Sequence, residues 1–216
     1  VFIVLASGFV LLGMATTTPG VTWPSVAESF GRPIAELGLV TLLFGSGYTL
    51  SSAVNGRLIA GRGLGPVLVG SALTGTLALV GLALSAGWPM FLLAIGLLGL
   101  GGGLIDAATN TYVAIRRGTR TMSLIHGIFG LGAIGGPLLV TALLQLGLPW
   151  RMAFALLAVG QVVYVAGLWL MSRHLSVRAQ TEAEAPGLGS ARRQSVAWSL
   201  AVFFVYAGIG AIGGPL

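Results

Sequence analysis

The chain contains no cysteine, which excludes disulfides, thiolate chemistry and cysteine-ligated metals. Charge is nearly as scarce. Charged residues make up 7% of the chain, against about 25% in an average soluble domain, and only five of the 216 residues are acidic. So little charge cannot cover the surface of a soluble globule of this length. Hydrophobic types make up 56%, and the class they define is an integral membrane protein. The net charge of +6 would point to nucleic acid in a soluble protein. Here the arginines sit at the ends of apolar runs instead. No phosphate loop, metal-ligand set or nucleophile–base pair stands in the chain, so neither an enzyme nor a bound cofactor or metal is expected.

A helix needs about 20 apolar residues to cross the hydrocarbon core. Six full runs meet that length, roughly 1–21, 34–60, 65–86, 89–115, 122–148 and 150–172, and a partial run covers 196–216. None alternates as a barrel strand does. The pattern predicts an all-α polytopic bundle: six transmembrane helices in a 3+3 inverted repeat, plus the start of a seventh. The expected organisation is a six-helix half over 1–173, a polar linker over 174–195 and a partial first helix of a second half over 196–216. The apolar pattern is under way at Val1 and still running at Leu216, so the chain is expected to be a piece of a longer one that lacks its C-terminal half. The first residues show no basic segment or small-x-small cleavage site, which argues against a signal peptide.

The connections alternate in charge. One set carries Arg57, Arg62, Arg116, Arg117, Arg120, Arg173, Arg178, Arg192 and Arg193; the other carries Arg32 and Arg151. Basic residues are retained on the cytoplasmic side. The rich set, the 174–195 loop and the N-terminal end of the chain are therefore expected to be cytoplasmic, with Trp23, Trp88 and Trp150 as interfacial anchors on the opposite side.

Against this background "GGGLIDAATN", residues 101–110, stands out. Asp106 lies nine residues before Ile115, about 14 Å from the end of its run at about 1.5 Å per residue. An ionised carboxylate facing lipid there costs at least ~2.5 kcal/mol, so the side chain is expected to face the bundle interior or a wet cavity. An apolar surround also favours the neutral acid, which suits a reversible proton. A structural aspartate held by hydroxyl and backbone donors is the alternative. Asn110, four residues on, shares its helix face, and Gly99 and Gly103 continue that face. His126, near the start of the next, antiparallel run, falls level with Asn110, which predicts a polar cluster of Asp106, Asn110 and His126 with His126 as a proton relay.

In a 3+3 repeat the first and fourth helices are equivalent and line the cavity. Their polar stretches, "GMATTTPG" at 13–20 and "GGGLIDAATNT" at 101–111, put Thr17 and Thr109 beside Asp106 and Asn110 as candidate substrate ligands. Alternatively Thr16, Thr17 and Thr18 bond back to their own helix. The stretch "GIFGLGAIGGP", 127–137, matches G-x-G-x-x-G, but no strand precedes it. Gly132 and Gly136 read instead as a close-packing face, and Pro137 as a bend.

These features together resemble the major facilitator superfamily. "GGLIDAATNTYV" and "LIHGIFGLGAIGGPLL" resemble its fucose permease branch of sugar–proton symporters, where the fourth helix carries an acid followed four positions later by Asn. The resemblance implies that Asp106 serves proton coupling or substrate binding, and that the chain moves a small solute, such as a sugar, through a bacterial inner membrane by alternating access. A drug or metabolite exporter and a non-transporting sensor on the same scaffold are the alternatives. The family's G-x-L-x-D-R-x-G-R-[RK] loop maps onto "GRLIAGRGLG". It keeps Gly56, Leu58 and Gly63, with Ala60 in the aspartate position, and is rebuilt around Arg57 and Arg62. The fucose permease's acid in the first helix and its relatives' glutamate in the seventh are absent here.

Overall fold

The computed structural model describes residues 1–172, nearly all of a first compact unit, Val1–Arg178. It holds six α-helices: α1 (Phe2–Phe30), α2 (Leu37–Arg62, entered through a 3-10 turn at Ile34–Glu36), α3 (Leu64–Ala83), α4 (Trp88–Arg116), α5 (Thr119–Gln145) and α6 (Arg151–Met171). All six are long and apolar enough to cross a membrane, and no strand occurs among the described residues. The linker expected at 174–195 and the seventh helix expected at 196–216 lie outside the described residues.

The connections are shorter than the apolar runs suggest. Backbone polar groups in a bilayer must be satisfied within the chain, and the helices extend accordingly. The loop expected over 57–63 is helix up to Arg62, leaving Gly63 alone between α2 and α3. The connection expected from Trp23 to Pro33 is helix up to Phe30, with Pro19 and Pro24 inside α1. At about 1.5 Å per residue α1 is about 43 Å long, more than the ~30 Å hydrocarbon core. Four of the five turns close on a glycine at positive φ: Gly31, Gly63, Gly118 and Gly147. A side chain there would strain the backbone.

The main contacts pair α1 with α5, α2 with α4, and α3 with both α4 and α6, and a smaller contact joins α1 to α6. Exchanging α1 with α4, α2 with α5 and α3 with α6 carries this pattern onto itself, as a 3+3 repeat requires. Glycines seal the two long pairings. A Cβ at Gly99 would strike the Phe44 carbonyl oxygen, one at Gly103 the Tyr48 carbonyl oxygen, and one at Gly47 the Gly96 carbonyl oxygen. The α1–α5 seam is built the same way. Gly132 meets the Val10 carbonyl oxygen, Gly136 meets Met14 and the Thr17 hydroxyl, and Gly13 meets the Phe129 carbonyl oxygen. Backbones this close gain dispersion energy where lipid offers no hydrophobic drive. Pro137 sits inside α5, which runs unbroken through it.

The buried core divides along the helices into two clusters. One, toward the arginine-rich end, gathers Phe9, Leu68, Ile105, Ile125 and Leu168. The other, toward the tryptophan end, gathers Trp23, Leu82, Phe91, Trp150 and Phe154. The tryptophans correct an expectation. Trp23 is 2% and Trp150 4% exposed, so they are core residues rather than lipid-facing anchors. Trp88 stacks on Phe91 at 5.6 Å, and Trp150 meets Phe30, Phe91 and Phe154 edge-on. Arg151 lies 4.3 Å over the Trp150 ring and donates to the Ser85 carbonyl at 2.9 Å, while Arg32 covers Trp88 at 5.3 Å. The indole N–H groups are satisfied by the Ile34 carbonyl (2.8 Å) and the Ser29 hydroxyl (3.0 Å).

Candidate functional site

Asp106 stands on α4 beside the seam with α2. Gly99 and Gly103, on neighbouring turns, let α2 lie directly on the α4 backbone, and Asp106 emerges half-buried at the margin of that contact. Asn110 Nδ2 donates to Asp106 Oδ1 at 3.0 Å. Tyr48 of α2 lies on Gly103, one turn before Asp106. No cation pairs with it: among the described residues the ion pair found is Arg32 with Glu36, 3.7 Å apart at the tryptophan end. Asp106 is thus a carboxylate of the apolar span, held by a neutral donor, Asn110.

Register explains how α2 reaches the site. Phe44 lies on Gly99, and Tyr48, one turn on, lies on Gly103, one turn on. The two helices therefore run parallel and in step. Ser52 Oγ donates to the Gly103 carbonyl at 3.1 Å. Asn55, seven residues beyond Tyr48, falls level with Asn110, seven beyond Gly103. Asn55 is 4% exposed, and the Oδ1 atoms of Asn55 and Asn110 are both buried without a hydrogen-bond partner. The Tyr48, Ser52 and Asn55 stripe was not singled out from the sequence. Its spacing of four and three residues along "YTLSSAVN" is the signal that marks it as one helix face.

The other expected site residues fall elsewhere. His126 is exposed and packs edge-on against Phe9 at 5.9 Å, and it makes no ion pair with Asp106 among the described residues. The three-residue cluster is therefore not assembled; Asp106 and Asn110 are joined and His126 stands apart. The reason is rotational phase: Ile125 turns fully into the core, which carries the next residue about 100° round α5. Thr17 donates to the Gly13 and Met14 carbonyls at 3.0 and 3.2 Å and packs on Gly136. Thr16 and Thr18 bond back likewise. Thr109 is fully buried with its hydroxyl unpartnered. In the family loop motif, Gly56 and Arg62 are exposed, Leu58 packs on the core, and Gly63 holds the positive φ of the turn.

Six crossing helices in two equivalent triplets, with a lone carboxylate at a helix seam, define the bundle class on which many secondary transporters are built. The comparisons place the chain within it. The family model of the Major Facilitator Superfamily matches residues 4–215, and the chain belongs to that family, one of transporters rather than enzymes. It is 30% identical over 135 residues to the uncharacterized transporter y4wD of Sinorhizobium fredii, covering 61% of this chain and 36% of that protein. It is 35% identical over 140 residues to an uncharacterized MFS-type transporter of Yersinia pestis, covering 63% of this chain and 36% of that protein. The aligned stretch is thus about a third of the length of these curated relatives. In fold it is similar to the crystal structure of the peptide transporter POT in complex with sulfate, with a TM-score of 0.66 and 17% identity over 98% of this chain and 45% of that one. The POT E310Q mutant in complex with alafosfalin gives 0.65 and 19%, over 97% of this chain and 45% of that one.

Proposed function

We propose that the six-helix unit is one half of a secondary transporter that moves a small solute by alternating access, with Asp106 carrying the coupling proton. The observation that carries this reading is the carboxylate itself. It lies in the middle of an apolar span, without a cationic partner among the described residues, held by Asn110. A purely structural acid at that depth is expected to be fully tied down, whereas this one is half-buried. Asn110 orients the carboxylate and contributes to solute binding. The sparsely buried faces of α2 and α5 are where a second six-helix half packs and the central path opens. The arginine-rich end faces the cytoplasm of a bacterial cell, following the retention of basic loops. By resemblance to the fucose permease branch, the solute is a sugar or a similarly small polar molecule.

The test is transport by the full-length protein in proteoliposomes. Asp106→Asn keeps the shape and removes the ionisable group. The expected result is loss of accumulation against a gradient, with solute exchange across equal concentrations retained. Undiminished accumulation in that variant contradicts the assignment.

A further inference from the structure

The chain has two asparagines in its 216 residues, and both stand on the seam between α2 and α4. On α2 the buried residues Gly47, Ser51 and Asn55 follow one another at four-residue intervals, which makes them one stripe. A Cβ on Gly47 would strike the Gly96 carbonyl oxygen of α4, and one on Gly103 would strike the Ser51 hydroxyl. That stripe is therefore the one pressed on α4. Gly103 packs among Tyr48, Ser51 and Ser52. Seven residues further along both parallel helices, about two full turns, the same register sets Asn110 against Asn55.

Both amide oxygens go without a donor there. Asn55 is 4% exposed, and the Oδ1 atoms of Asn55 and Asn110 are each buried with no hydrogen bond. On the Asn110 side the reason is Asp106. An ionised carboxylate only accepts, so Asn110 turns its Nδ2 to Asp106 Oδ1, at 3.0 Å, and its own oxygen is left over. Buried polar groups rarely stay unsatisfied. The seam is short of a donor, and a proton on Asp106 supplies one. Few other titratable groups face it. α3 carries none, and the one on α1 is Glu28, at the tryptophan end. On α5, Arg120 is exposed and His126 packs on Phe9. Tyr112 of α4 turns into the core, with Arg116 at the helix end. α2 brings Tyr48, on the turn before Asp106, and the exposed Arg57 and Arg62 beyond Asn55.

We infer that Asn55 is a positioning residue for the coupling proton. When Asp106 takes up a proton from water, the Asn110 amide turns over and its oxygen accepts the new Asp106 O–H. Its Nδ2 then donates to Asn55 Oδ1. Loss of the proton reverses each step, and no other covalent bond changes. With the acid ionised, α2 and α4 meet through two bare oxygens; with it protonated, a hydrogen bond spans the seam. Charge at position 106 is thereby converted into grip between two helices. The inference rests on the reading of Asp106 as the proton carrier and adds the residue that passes its state to α2.

Infrared difference spectroscopy between low and high pH tests it, on the full-length protein in lipid, grown with isotope-labelled asparagine. The carbonyl band of protonated Asp106 is the one missing from Asp106→Asn. In the parent protein this band is expected to rise on acidification together with a shift of asparagine side-chain carbonyl absorption to lower frequency, as bare oxygens gain donors. Asn55→Leu keeps the side-chain volume and removes the acceptor. It is expected to keep the Asp106 band and lose part of the asparagine shift. An Asp106 band that rises while the asparagine absorption stays still overturns the inference and leaves the proton reading standing, with no variant at Asn55 needed. A shift as large in Asn55→Leu as in the parent overturns the role of Asn55. The absence of any Asp106 band at any pH overturns the proton reading and this inference with it.

Discussion

At the residue scale, the chemistry concentrates on one short stretch of α4. Asn110 holds Asp106 through a single 3.0 Å bond from its amide, and hydrogen bonds to charged groups contribute about 1.5–3 kcal/mol. Asn110→Leu leaves the carboxylate with one protein donor fewer. The variant is expected to fold, to elute as a single species in detergent, and to lose most of its solute accumulation. Full transport by Asn110→Leu contradicts the positioning role. The pairing was legible in the sequence because a four-residue spacing on a helix fixes a shared face without any tertiary information. Tyr48 and Asn55 were not legible, since their place beside Asp106 depends on the parallel register of α2 against α4. His126 packs on Phe9 of α1 instead of joining Asp106. Its direction depends on which side of α5 faces α1, and Ile125 and the glycines decide that.

At the element scale, glycine is the material of the long helix contacts. Gly132 and Gly136 were legible as a packing face because they stand four residues apart in an apolar run. Their partners on α1 were not, because the sequence carries no record of which helix approaches. Gly103 and Gly130 give a paired prediction. A leucine at 103 must displace the Tyr48 carbonyl and the Ser51 and Ser52 hydroxyls, whereas one at 130 meets nothing within 4 Å. Overpacking costs about 1–3 kcal/mol. Gly103→Leu is expected to lower the thermal midpoint in detergent by several degrees, with Gly130→Leu close to the parent protein. Equal midpoints for the two contradict the close-seam account. The tryptophans show the limit of reading an element's ends from composition. Their positions fit an interfacial belt, yet packing against Trp88, Phe30, Phe91 and Phe154 buries Trp23 and Trp150 at that end of the bundle, with Trp88 half-buried beside them.

At the scale of the whole molecule, six spans were legible from hydropathy alone, because a bilayer admits few other ways to satisfy a backbone in so apolar a chain. The 3+3 relation was only faintly legible. It emerges from how the helices pair rather than from similarity between their sequences. Orientation has a direct test that the absence of cysteine makes clean. Single cysteines at Glu28 and Arg117 stand at opposite ends of the bundle. A membrane-impermeant maleimide added to intact cells is expected to label Glu28→Cys and to leave Arg117→Cys unlabelled until the cells are opened. The reverse pattern contradicts the cytoplasmic placement of the arginine-rich end.

The same chemistry reaches the central claim, that position 106 is sheltered from lipid and opens onto an aqueous path between helices. The measurement is the reaction of Asp106→Cys, in the full-length protein in membranes, with a small charged methanethiosulfonate, which attacks only thiolates that water reaches. The account predicts modification of this thiol, slowed when solute is present. A thiol that reacts only with a lipid-soluble maleimide and never with the charged reagent would place position 106 against acyl chains and contradict the account.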